Sequence, residues 1–416
     1  MRVLEVSRYK KEYAEHMLPF VTEQGESLRK AGCEVEYFLV RGNYITAVKP
    51  LKEKIREFKP DIVHAHYGLS AITAELQGLV PVVTTFHNGE THSKGVNFIA
   101  SLFSLRAKHV IYVAQHIYDM VYFKAKNYSI IPCGVSLEDC VVMDKAEARK
   151  KLGWDSDKKY IMFGGAFDNL RKNYPLLRSA IEELYSTKTE KNTACAAINI
   201  DKGDINKKEE SPIRMDTAHA ASSVIANQSA NEQDSLQSNC QSPSTDANEL
   251  HLSDSSEKIV DFINCEKSEK KYSWTPVEGG EMYGDVVCVE MRGLSRAECV
   301  LRMCGCDVFA LPTKNEGSPQ ALKEAMACNC PIVATDVADI KHLLGGLPGH
   351  YVLPNKKGNC AWWKGDEHSA EELAELLKKA LAFEGRTEGR KRIVELGYTN
   401  ELVAKQIIKI YEQILC

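Results

Sequence analysis

Residues 307–336, DVFALPTKNEGSPQALKEAMACNCPIVATD, hold the densest group of side chains able to do chemistry. Two carboxylates, Glu316 and Glu324, flank a Gly317-Ser318-Pro319 step. Val308–Leu311 reads as a buried strand, the polar stretch after it as a loop, and Ser318–Ala327 as a helix. Ser318 is the expected N-cap, and Pro319 suits the first helical position, where its missing N–H costs nothing. The N–H groups of Gln320, Ala321 and Leu322 would then leave the helix end together with its positive dipole, a combination that favours a diphosphate. Gly317 lets a ligand approach the backbone closely. Carboxylates accept hydroxyl hydrogen bonds in pairs, which is what a ribose or hexose presents, so Glu316 and Glu324 are candidates to hold a sugar. Leu322, Ala325 and Met326 form the buried stripe of this helix and leave Glu324 at its border; a lone glutamate there would ordinarily be solvated.

These residues need a frame. From the start of the chain, β-branched runs at Arg2–Val6, Glu34–Val40, Ile62–His66, Pro81–Phe86, Val110–Val113 and Ser129–Ile131 alternate with helical patterns, as in a parallel sheet covered by helices. Beyond Pro132 the pattern restarts with Tyr160–Phe163, a helix over Asn173–Tyr185, then Val286–Met291, Ser295–Met303, Val308–Leu311, Ser318–Ala327, Ile332–Thr335 and Asp339–Leu344. The fold class is therefore α/β, with two doubly wound, Rossmann-like domains facing across a cleft: residues 1–132 on the acceptor side and 133–399 on the nucleotide-sugar side. Residues 186–282, rich in Ser, Asn, Asp, Lys and Glu, cannot bury enough apolar surface to order themselves and read as a disordered insertion in the second domain. Val403, Ile407, Ile410, Tyr411 and Ile414 make an amphipathic helix of 400–416, which is expected to pack back on the first domain.

Composition narrows the function. The chain has 416 residues, 44% of them hydrophobic, and a formal charge of -4, so no polyanion such as nucleic acid is an expected partner. The 14 cysteines fall without zinc spacing, as small buried hydrophobes in a reducing compartment. The N-terminus reads as a first strand rather than a signal peptide, and no apolar run reaches the length of about 20 residues that spans a bilayer. The expected location is the cytoplasm. Val48, Leu51, Ile55 and Phe58 share one helix face, with Lys49, Lys52, Lys54, Arg56 and Lys59 on the rest; such a basic face could give weak peripheral contact with anionic lipid at the inner membrane face.

The segment around Glu316 and Glu324 resembles the Glu-x7-Glu signature of family 4 retaining glycosyltransferases, which have the GT-B fold. The match runs through Glu316, Gly317, Pro319, Glu324, Ala325, Met326, Ala327, Pro331, Val333, Ala334 and Thr335. The resemblance implies that Glu324 holds the donor ribose and Glu316 contacts the transferred sugar. In FGGAFDNLRKNYPLL it places Lys172 on the donor phosphates, with Arg171 assisting and Gly165 in the donor pocket. His87, after PVVTTF, would touch the donor sugar; His64 and His66 lie at another strand end. Backbone around Met291–Leu294 would select the base. Cys133 stands where the family has Asn, Asn329 where it has Gly, and the paired glycines usual after the first strand are missing from VSRYKKEY.

The activity implied is transfer of a sugar from a nucleotide-diphosphate sugar to a glycan, lipid-linked or small-molecule acceptor, with no metal and no cofactor beyond the donor. A sugar-nucleotide epimerase or phosphorylase on the same fold would use the same pocket, and an inactive relative could act as a binding protein. A dinucleotide oxidoreductase is disfavoured because no G-x-G-x-x-G follows a first strand.

Overall fold

The computed structural model describes residues 1–8, 18–91, 93–184, 280–356 and 368–416. Twelve strands in these residues form two six-stranded sheets. The first holds β1 (Arg2–Arg8), β2 (Glu34–Val40), β3 (Ile62–His66), β4 (Val82–Phe86), β5 (His109–Tyr112) and β6 (Tyr128–Ile130), in the order β2-β1-β3-β4-β5-β6. All its pairings are parallel. The second holds β7 (Lys159–Phe163), β8 (Gly280–Tyr283), β9 (Val286–Val289), β10 (Val308–Leu311), β11 (Ile332–Thr335) and β12 (His350–Leu353), in the order β12-β11-β10-β7-β9-β8. Its inner strands are short, β-branched and covered on both faces, as parallel strands must be.

One strand lies where the sequence placed the insertion. Gly280–Tyr283 pairs antiparallel with β9, and Gly284, at φ 58°, turns the chain between them. Residues 280–282 therefore belong to the sheet edge; the rest of the expected insertion, 186–279, and most of the VSRYKKEY loop lie outside the described residues.

Buried charge ties the second lobe together. Asp307 lies 2.6 Å from Arg149 of helix Lys145–Leu152 and accepts the Tyr160 N–H at 2.7 Å. The last helix, Asn400–Leu415, buries Val403, Ala404, Ile407, Ile410 and Tyr411 against Val3, Leu28, Val35 and Ile62 of the first lobe. The chain thus passes between the lobes twice. The crossings lie side by side, with Val135 N–H donating to Tyr398 O at 2.9 Å and Asn400 N–H to Val135 O at 3.1 Å. A Cβ on Gly134 would stand 2.8 Å from the Asn400 Cα, so glycine allows this approach. Among the described residues no helix is long and apolar enough to cross a membrane.

Candidate active site

The strand order of the second sheet reverses beside β7, which has β9 on one side and β10 on the other. Loops leaving the carboxyl ends of β7 and β10 diverge there and form the crevice where doubly wound sheets take ligands. A Cβ on Gly165 would lie 2.7 Å from the Lys172 Cγ, so the glycine lets the lysine stem cross the strand end. Lys172 Nζ then stands 2.6 Å from Glu316 Oε1, and Arg171 Nη1 3.3 Å from Glu316 Oε2. Thr313 donates its hydroxyl to the same carboxylate at 3.1 Å. Burial alone would raise the Glu316 carboxyl; Lys172 and Arg171 outweigh it and hold the group below its ordinary value. Two cations around one carboxylate leave a surplus positive charge at the crevice, which suits an anionic ligand. The backbone at the expected base-reading turn is fixed to the same strand end, with Met291 N–H donating to Gly165 O at 3.0 Å.

Glu324 is also buried, and it faces the other lobe. Arg296 Nη2 is 2.8 Å from Glu324 Oε1, while Arg296 Nη1 pairs with Glu23 on the first-lobe helix Pro19–Lys30. Burial raises the Glu324 carboxyl to about 7; Arg296 opposes the rise and Glu23 adds to it. Glu23 is itself raised by burial, against the pull of Arg296.

Two expectations about this loop are corrected. The helix runs Gln320–Ala327 with Pro319 as its N-cap and no side-chain cap, because the Ser318 hydroxyl is donated instead to Asp339 Oδ2 at 2.7 Å. Pro319 is therefore not inside the helix, and Ser318 does not cap it. Gly317 is not open to a ligand: a Cβ there would meet His87 O at 2.8 Å and the Asn88 Cβ at 3.0 Å, so its bareness admits the backbone of the first lobe. Asn88, at φ 96°, also brings its amide to 3.4 Å from Asn315 Oδ1.

In the first lobe, β3 and β4 deliver a line of imidazoles. His66 Nε2 is 2.5 Å from Glu5 Oε2, His66 Nδ1 is 3.1 Å from His87 Nε2, and His87 Nδ1 is 3.7 Å from Cys133 Sγ. Burial, with His66 and Lys323 adding to it, drives His87 well below the usual histidine value. Its ring is neutral. If ionised Glu5 accepts from His66, then His66 Nδ1 must accept from His87, and His87 Nδ1 is left as an acceptor toward the Cys133 thiol. His64 is held apart from this line by Tyr411 at 2.5 Å and Thr85 at 2.7 Å.

Two family models match the chain: Glycosyltransferase Family 4 over residues 36–139 and Glycosyl transferases group 1 over residues 286–381, the second enclosing both Glu316 and Glu324. The chain belongs to the family 4 glycosyltransferases. No curated protein sequence matches this glycosyltransferase. Its fold is shared by the sucrose-phosphate synthase of Thermosynechococcus elongatus, at TM-score 0.61 and 16% identity over 99% of this chain and 98% of that one. Anabaena HepE in complex with UDP is similar at TM-score 0.57 and 10% identity, covering 99% and 100%. The lipopolysaccharide outer core galactosyltransferase WaaB is similar at TM-score 0.54 and 12% identity, covering 99% of each chain. The GT-B fold expected from the sequence is the fold observed.

Several residues of the glycosyltransferase site were not singled out from sequence. Arg296 sits at the start of helix Arg296–Gly305, inside a Ser295/Glu298 capping box that explains the neighbouring residues and hides its own reach to Glu23. Lys323 is fully buried and donates to Cys133 O at 2.5 Å, fastening the helix that carries Glu324 to the interlobe crossing. Glu5 had a readable signal: a carboxylate in the apolar strand RVLEVSR must be paired, and His66 is its partner.

Proposed function

We propose that this glycosyltransferase is a retaining enzyme that moves a hexose from a nucleoside-diphosphate sugar to a glycan, lipid-linked or small-molecule acceptor hydroxyl. The observation that carries the reading is the Lys172–Glu316–Arg171 cluster at the reversal of the second sheet. Lys172 and Arg171, with the start of helix Gln320–Ala327, take the charge that develops on the departing diphosphate, an electrostatic form of catalysis. The bond from the anomeric carbon to the phosphate oxygen breaks, and its electron pair leaves with the diphosphate. The acceptor oxygen bonds the anomeric carbon on the same face, and its proton passes to the departing phosphate. Glu324 holds the donor ribose, Glu316 orients the transferred sugar with Lys172, and His87 borders the sugar from the first lobe. The cations already supply positive charge, so no metal is required and transfer persists in a chelator.

Crystals of HepE hold UDP and UDP-glucose, which makes UDP-glucose the first donor to try. Screening uridine and guanosine diphosphate sugars by thermal shift, then following transfer and the product anomer by NMR, tests the proposal. Lys172→Ala and Glu324→Ala are each expected to lower transfer by roughly 10²-fold or more. Near-normal turnover in both, or an inverted anomer, overturns it.

A further inference from the structure

Helix Lys94–Ser104, which follows the Asn88 segment, is built inside out. Its buried residues are Asn97, Ala100, Ser101 and Ser104, while Phe98, Ile99, Leu102 and the following Leu105 are 43% to 48% exposed. The small inner residues are used. A Cβ on Gly68 would come within 2.5 Å of the Ala100 Cβ, so two helices meet closely there. Asn97 donates to Met120 O at 2.9 Å and accepts from Tyr122 N–H at 3.2 Å. These contacts fix the helix with its large apolar side chains outward. They form one surface with the 120–123 segment, since Phe98 lies 5.2 Å from the Phe123 ring and 6.5 Å from that of exposed Tyr122.

The border of this surface has one sign. Lys94, Arg106, Lys108, Lys124 and Lys126 are exposed around it, against a single exposed acid, Asp119. Asn127 donates to Lys108 O at 3.2 Å, which joins the two basic segments into one rim. An apolar face ringed by cations matches the interface of an anionic bilayer, where rings and leucines enter the acyl boundary and lysines meet headgroup phosphates.

We propose that helix Lys94–Ser104, with Tyr122 and its basic rim, docks the protein on an anionic lipid surface. The face is distinct from the basic helix Val48–Phe58, whose Lys54 is occupied 2.5 Å from Glu36. Because the helix follows directly on the segment that meets Gly317, docking brings the mouth of the site to the membrane. The inference does not depend on the identity of donor or acceptor.

The test is flotation of the purified full chain with phosphatidylglycerol–phosphatidylcholine vesicles, with phosphatidylcholine-only vesicles as the neutral arm. Wild-type protein is expected to float with the anionic vesicles and to be released by salt. Phe98→Ser/Leu102→Ser is expected to lower partition at least tenfold, taking roughly tenfold for each large apolar side chain withdrawn from water. Its melting temperature stays unchanged because both side chains already face solvent. Lys49→Glu/Lys52→Glu on the other helix is expected to float like wild type. The proposal is overturned by absent flotation of wild type, by equal flotation of the Phe98/Leu102 variant, or by loss in the Lys49/Lys52 variant. A dimer in light scattering that the Phe98/Leu102 variant dissolves, without vesicle binding by wild type, assigns the face to a second copy instead.

Discussion

Replacing Arg296 with Met puts two buried carboxylates into contact with no cation between them. Arg296 lies 2.8 Å from Glu324 and also pairs with Glu23, and both acids already have raised carboxyl values in its presence. Breaking a buried pair by removing one partner costs about 3–5 kcal/mol; Arg296 is 27% exposed, so the lower figure applies, about 3 kcal/mol. The cost depends on pH in a definite sense. Glu324 titrates at about 7 in the fold and near 4.5 unfolded. Its stabilising contribution is fully present below the unfolded value and is lost as pH rises through the folded one. Without Arg296 the folded value rises further, so the variant loses more stability than wild type on going from pH 5 to pH 8. Melting followed by scanning calorimetry should show a drop of roughly 6–12 °C at pH 8, at about 2–4 °C per kcal/mol for a lobe of this size. The drop at pH 5 should be less than half of that. Arg296→Met/Glu324→Gln should recover most of the loss at pH 8. An equal drop at both pH values would refute the electrostatic account and leave only lost packing.

Two further outcomes rest on single contacts. Gly317→Ala places a methyl 2.8 Å from the His87 carbonyl, so the lobes cannot meet there; kcat for transfer should fall roughly tenfold or more while the melting temperature holds within a few degrees, and a wild-type kcat would show that this approach is not needed for turnover. Asp307→Ala strands the Arg149 guanidinium and the Tyr160 N–H inside the second lobe; stability should fall by about 3–5 kcal/mol, read as a lower melting temperature, with donor affinity retained in whatever fraction stays folded.

The strands were legible where burial leaves no choice. Val308–Leu311 and Ile332–Thr335 are read to the residue because both faces of each strand are covered, so every position must be apolar. Gly280–Tyr283 was missed because an edge strand need bury only part of its length, and GEMY shows no apolar run. The helix start was misplaced by one step because Ser318 obeys the local capping rule in sequence, but Asp339, distant along the chain, competes for its hydroxyl. Of the candidate site, the cluster of Lys172, Arg171 and Glu316 was anticipated through the family resemblance. The pairing of Arg296 with Glu23 was not, since 273 residues separate them and nothing local encodes the contact. His87 was expected to meet a sugar; that its ring is gripped by His66 and Cys133 follows only from the packing of three strand ends.

The paired crossings at Val135 and Thr399 limit how the enzyme can move. A single tether would let one lobe swivel about its own axis, whereas two parallel strands bonded to each other act like the leaves of a door hinge and permit swing about one line. Each opening stroke must then separate Gly317 from His87 and Arg296 from Glu23 together, so substrate entry and product escape are governed by a single coordinate.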